Sequence, residues 1–107
     1  MKLTGKEMEV MTTLWSNGGL MTTTEIIRIT PDRTWHPGSI FSIMRSLVNK
    51  GAVVLDSHKP TGGKHARVYK AIITIEDYAV RSIAAMSETG LNIDFDLLAD
   101  KIKNYKK

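Results

Sequence analysis

Apolar positions recur at helical spacing in three early segments, alternate through a short middle stretch, and return to helical spacing near the end. Met8, Met11, Leu14 and Trp15 share one helical face, with Glu7 and Glu9 expected to point away from it. Thr4-Gly5-Lys6-Glu7 in front of them reads as a capping box, a Thr at the N-cap answered by a Glu three residues later. Asn17-Gly18-Gly19 ends this helix. Thr22-Thr23-Thr24-Glu25 repeats the box and opens a short helix carrying Ile26, Ile27 and Ile29. Pro31 stops it, because the residue before a proline is pushed away from helical angles. His36-Pro37 starts a third helix, proline being favoured at the first helical position. This helix runs to about Asn49, buries Ile40, Ile43, Met44 and Leu47, and closes at Lys50-Gly51.

Ala52-Val53-Val54-Leu55 is an apolar, β-branched run that reads as a strand. Lys59-Pro60-Thr61-Gly62-Gly63-Lys64 is a turn, and Arg67 to Ile72 alternates charged and apolar residues as a returning strand does. Three helices followed by a hairpin with a basic loop is the layout of a winged helix-turn-helix. Thr74 and Glu76-Asp77 then begin another helix bearing Ile75, Ala79, Ile83 and Met86, which Gly90 breaks. Leu91, Phe95, Leu98, Ile102 and Tyr105 follow in heptad-like steps. Such a tail either pairs two copies or folds back on its own domain. Pairing is the favoured reading, because two short terminal helices find little domain surface left to bury against. The expected fold is therefore mostly α (α+β): a winged helix-turn-helix with a two-stranded wing over residues 1–73, and a helical dimerisation tail over 74–107.

Composition narrows the class. The 107 residues make one ordinary domain, 42% hydrophobic and 24% charged, too apolar for disorder. No stretch reaches the roughly 18 to 20 apolar residues that span a bilayer, and MKLTGKEMEV holds no apolar signal core. The cysteine count of zero excludes disulfides, thiolate zinc sites and thiol catalysis. A cytoplasmic protein with no membrane segment is the expectation. The net charge of +4 is unevenly placed: residues 1–73 hold ten Lys or Arg against five Asp or Glu, and residues 74–107 hold five against six. Within 33–70, Arg33, Arg45, Lys50, Lys59, Lys64, Arg67 and Lys70 face only Asp56. A basic segment joined to a near-neutral tail fits a polyanion-binding part and a part with another task.

An α-helix fits the major groove of DNA, where base edges distinguish all four pairs. The helix beginning at Pro37 is the candidate reader, its outward face carrying Gly38, Ser39, Phe41, Ser42 and Arg45, with Thr34 just ahead. Ser hydroxyls serve bases or phosphates, and Arg forks onto guanine. Phe41 is the odd member: either a thymine methyl covers it, or it is a rim contact with the first helix or the wing. The wing presents Lys59, Lys64, His65 and Arg67 around two glycines, suited to phosphates or a narrow minor groove.

The chain resembles the penicillinase repressor family of transcription regulators. The resemblance rests on Leu3-Thr4, Glu7, Glu9-Val10-Met11, Leu14-Trp15, Thr23, Glu25-Ile26, Trp35, Pro37, Ser39-Ile40, Leu47, Lys50-Gly51 and Tyr69. It covers about the first 75 residues, and the tail is similar mainly in being helical, with Asp77-Tyr78 one local echo. It implies a homodimeric repressor with winged-helix DNA-binding domains and a C-terminal dimerisation region, bound to a palindromic operator. In β-lactam-responsive members a membrane sensor leads to repressor cleavage, which implies a sensor-linked protease as a further partner. Copper-responsive relatives carry paired cysteines, and this chain has none. Where the family often has Ser before the proline and Lys after it, this chain has His36 and Gly38. A usually polar position is Phe41, and the familiar arginine before the leucine is Ser46, with Arg45 beside it. The operator sequence is expected to differ accordingly.

Catalysis finds no support in the sequence: there is no phosphate-cradling glycine motif, no zinc-protease signature and no nucleophile with a base close by. Asp94 reads as a helix cap rather than a catalytic acid. His58 and His65 lack a carboxylate or thiolate nearby, so they read as wing residues rather than metal ligands. No cofactor is expected. The rival readings are a winged helix used as a protein-interaction module, and an RNA-binding winged helix. A basic wing and small polar residues on the reading helix favour DNA, whereas interaction modules show an apolar patch there.

Overall fold

The computed structural model describes every residue except 31, 62, 63, 106 and 107; the side chains at 58–61, 64 and 65 are likewise outside the described residues. Among the described residues, five α-helices and three strands follow in the order α1 (Gly5–Ser16), β1 (Leu20–Thr22), α2 (Thr23–Ile29), α3 (Ile40–Asn49), β2 (Val53–Thr61), β3 (Lys64–Ala71), α4 (Ile75–Ser87) and α5 (Phe95–Asn104). A single 3-10 turn, Pro37–Ser39, leads into α3. The chain adopts the α+β winged-helix architecture expected from its pattern.

Both early capping boxes form. The Thr4 and Thr22 hydroxyls accept from the backbone N–H of Glu7 and Glu25, and each Glu accepts from the N–H of its Thr in return. A third box, Thr74 with Asp77, opens α4. The Thr74 backbone N–H, with the Thr74 side chain, holds the Asp77 carboxyl below its ordinary value. Gly18 and Gly19 both take left-handed angles, φ 85° and 77°, which turns the chain out of α1 and into β1 within two residues.

The short β1 was not anticipated. It pairs antiparallel with β3, Met21 opposite Tyr69, so the sheet has three strands in the order β1-β3-β2 and the wing hairpin is its outer part. In β2 the register shifts between Leu55 and Ser57, leaving Asp56 as the extra residue of a bulge, which adds local twist. The core lies where α1, α2 and α3 meet the root of the sheet: Val10, Met11, Leu14, Ile26, Ile40, Met44, Leu47 and Val53 are all fully enclosed. The apolar faces read from the sequence for α1 and α3 are thus the packed ones, whereas on α2 Ile26 is enclosed and Ile29 is exposed.

Glu7 departs from expectation. It does not point away but is 3% exposed. The reason is that both its oxygens have partners inside: Oε1 accepts from the Thr4 N–H at 2.8 Å and faces Lys50 Nζ at 2.5 Å, while Oε2 accepts from the Ser46 hydroxyl at 2.5 Å. Burial pushes the carboxyl's pKa up, but the hydrogen bonds from Lys50, Ser46 and the Thr4 backbone, with the Lys50 charge, outweigh it and bring the value from 4.5 to about 2.

The tail is bound to the rest at its base. The Trp15 indole N–H donates to the Ile73 carbonyl at 2.9 Å, its ring lies 6.2 Å from that of Tyr78, and the Tyr78 hydroxyl accepts from the Leu3 N–H at 3.3 Å. Beyond that base, no residue of α4 or α5 is buried. The radius of gyration is accordingly 16.3 Å, against about 13 Å for a compact chain of this length. The heptad-like seam is also shorter on the helix than its spacing indicated. Asp94 caps α5 by accepting from the Leu97 N–H at 3.0 Å, so Leu91 precedes the helix and Tyr105 closes it. Phe95, Leu98 and Ile102 carry the stripe on α5 itself.

Candidate nucleic-acid interface

The 3-10 turn that leads into α3 is capped by His36. Its Nδ1 accepts from the Gly38 N–H at 3.0 Å, so the imidazole does the capping that a hydroxyl does elsewhere. A Cβ at position 38 would stand 3.2 Å from that nitrogen, which makes Gly38 the residue that lets the ring close on the backbone. The two departures from the family's pattern on either side of Pro37 are therefore one fitted pair.

With Ile40, Ile43, Met44 and Leu47 turned inward, α3 presents Phe41, Ser42 and Arg45 to solvent. Ser42 Oγ donates to the Ser39 carbonyl at 3.0 Å. Phe41 is 52% exposed, and Val48 on the same stripe is exposed as well. Leu55 from β2, with Arg67 and Tyr69 from β3, meets this stripe, and together with Phe41, Arg45 and Val48 they line a shallow depression between α3 and the root of the wing. Leu55 and Val48 were not singled out by the sequence. Val48 could have been, since it lies seven residues after Phe41, but Leu55 joins only through the sheet register.

The other predicted residues are distributed as follows. Thr34 is exposed, but its hydroxyl donates to Glu9 Oε2 at 2.6 Å and its N–H to Glu9 Oε1 at 3.0 Å, which ties the loop before α3 to α1. Arg67 is exposed on β3. Lys59, Lys64, His65 and His58 have side chains outside the described residues; their backbones continue the β2–β3 ladder, Lys59 opposite Ala66 and Thr61 opposite Lys64. In the tail, Met86, Leu91, Phe95, Ile102 and Tyr105 are exposed, and Ile83 and Leu98 are half-buried.

The electrostatic reading of the basic window also changes. Lys50 does not face solvent alone: it pairs with Glu7 and donates to the Lys2 carbonyl at 2.9 Å. Arg33 donates to the Ile27 carbonyl at 3.0 Å and lies 5.7 Å from the Trp35 ring centroid. Arg45 and Arg67 have no carboxylate partner among the described residues. Two cations of the window thus hold the fold, while Arg45 and Arg67 stand exposed beside the depression. Among the described residues, no group of three or more His, Asp or Glu is placed to hold a metal, and no helix is long and apolar enough to cross a membrane.

No curated protein matches the chain. The penicillinase repressor family profile matches residues 3–103, so it extends well past the first 75 residues, through α4 and almost all of α5. A winged helix that leaves arginines unpaired beside its third helix, matched over nearly its whole length, belongs to the penicillinase repressor family of DNA-binding transcriptional repressors.

Proposed function

We propose that the protein is a sequence-specific repressor acting in the cytoplasm as a homodimer on a palindromic operator, residues 1–73 reading DNA and residues 74–107 joining two copies. The observation that supports this most is the convergence of Phe41, Arg45 and Arg67 on one exposed depression beside α3. A helix presenting an unpaired guanidinium suits guanine edges in the major groove, and a second guanidinium on the wing root suits the adjoining phosphates. Pairing draws its support from the tail, where α4 and α5 bury no residue yet carry Phe95, Ile102 and Tyr105 into solvent. Operator symmetry mirrors protein symmetry, so two copies call for an inverted repeat. Release through a sensor-linked protease is supported only by the likeness to β-lactam-responsive family members.

Selection from a pool of random duplexes tests the proposal. The expected result is an enriched inverted repeat. A second reading, the protein-interaction module, has one observation in its favour: Phe41, Val48 and Leu55 together make the face beside the reading helix partly apolar. An unenriched pool supports that reading. RNA binding would show as enrichment from a single-stranded RNA pool instead, since the deep, narrow major groove of A-form RNA does not admit side chains.

A further inference from the structure

We infer that the depression between α3 and the wing root is a reading pocket for the 5-methyl group of a thymine in duplex DNA, with Phe41 as the residue that determines this preference. The inference deepens the repressor reading and rests on it.

Three observations converge. Phe41, Val48 and Leu55 are all large apolar side chains left exposed on one side of the reading helix. They are not scattered: with Tyr69 they line a single concave surface. Arg45 and Arg67 border the same surface, and neither has a carboxylate partner among the described residues. An apolar floor bordered by two free guanidiniums fits an occupant that is itself apolar at one point and anionic around it. A thymine in the major groove has that chemistry, a methyl group projecting from the base edge within reach of two rows of phosphates. An apolar partner protein would leave both guanidiniums buried without a counter-charge, which is costly. Phe41 stands one turn before Arg45 on the same face of α3. A thymine at Phe41 and a guanine at Arg45 would therefore be read as neighbours in one half-site.

Replacing thymine by uracil, one position at a time in a selected duplex, removes the methyl group and keeps every hydrogen-bonding group of the pair. The full chain is expected to lose about fourfold in affinity at one thymine per half-site, the worth of one buried methyl group, and little elsewhere. Phe41→Ala is expected to bind the thymine and uracil duplexes equally, and Phe41→Leu to keep part of the difference. Because Phe41 is half in solvent, these variants should fold, which an unchanged circular dichroism melt verifies. A selected duplex bound equally with thymine and uracil at every position overturns the inference while leaving the repressor reading intact. Discrimination that persists in Phe41→Ala also overturns it, placing the methyl contact elsewhere. A pool from which no duplex is enriched overturns both.

Discussion

Lys50 Nζ stands 2.5 Å from Glu7 Oε1, so a carboxylate in the first turn of α1 is paired with a cation at the end of α3. Glu7 is ionised well below the ordinary carboxylate range, at about 2 instead of 4.5. A group whose folded-state value is lowered stabilises the fold fully above its unfolded value and loses that contribution as pH falls through the folded one. Wild-type stability should therefore hold above about pH 5 and drop toward pH 2, by up to about 3 kcal/mol. Glu7→Gln should be less stable by roughly 2–3 kcal/mol at neutral pH and flatter across the acid range. Urea melts between pH 7 and 2 give the comparison. Parallel losses in both proteins would place the acid sensitivity elsewhere.

Binding to duplex DNA should weaken steeply with salt. A dimer making about 6–10 phosphate contacts loses roughly 10³–10⁵ in affinity between 50 and 200 mM salt. Fluorescence anisotropy with a labelled duplex measures the slope directly, and a flat response would refute an interface built on Arg45, Arg67 and the basic wing.

Arg45→Ala should cost about 1–3 kcal/mol and relax the preference at one base pair per half-site. The measurement is a competition series in which each base pair of the selected duplex is changed in turn. If the variant binds every competitor more weakly by one common factor, Arg45 touches only phosphates.

Asp in place of both Leu98 and Ile102 should yield a monomer and a weaker operator complex. Ile102 is exposed and Leu98 half-buried, and neither belongs to the core of the winged helix, so the winged-helix unit should keep its melting temperature. Light scattering reads the mass, and a mass unchanged from that of the parent protein would rule out α5 as the pairing surface.

His36 and Gly38 should be coupled. Gly38→Lys forces a Cβ to 3.2 Å from the capping imidazole, whereas His36→Ser restores a hydroxyl cap that leaves room beside it. The double variant should be more stable than the sum of the single changes by about 1 kcal/mol, within the ordinary range for residues in contact. Additive melts would mean that the imidazole and the glycine are not coupled.

Local rules carried much of the fold. The boxes at Thr4 and Thr22 and the helix start at Thr74 are satisfied within four consecutive residues, so a linear reading finds them. The inward faces of α1 and α3 follow likewise from spacing alone. What stayed hidden depends on partners distant in sequence. β1 is three residues whose extended form is fixed by pairing with Tyr69 and Lys70, and nothing within Leu20–Thr22 announces it. Glu7 looked like a surface acid because Ser46 and Lys50 lie 39 and 43 residues away. The bulge at Asp56 and the arrival of Leu55 beside Phe41 likewise depend on sheet register.

The tail meets the winged-helix unit through Trp15, Ile73 and Tyr78 at the base of α4. In a pair joined through the tails, that small aromatic joint sets the angle of each α3 to the two-fold axis. The molecule is 54 Å long, and a rotation of about 7° acting over roughly half that length carries an end by about 3.4 Å, one base-pair step. The half-site spacing accepted by a pair of that kind would then be governed by an indole and a phenol at the root of the tail rather than by a residue of α3 or the wing.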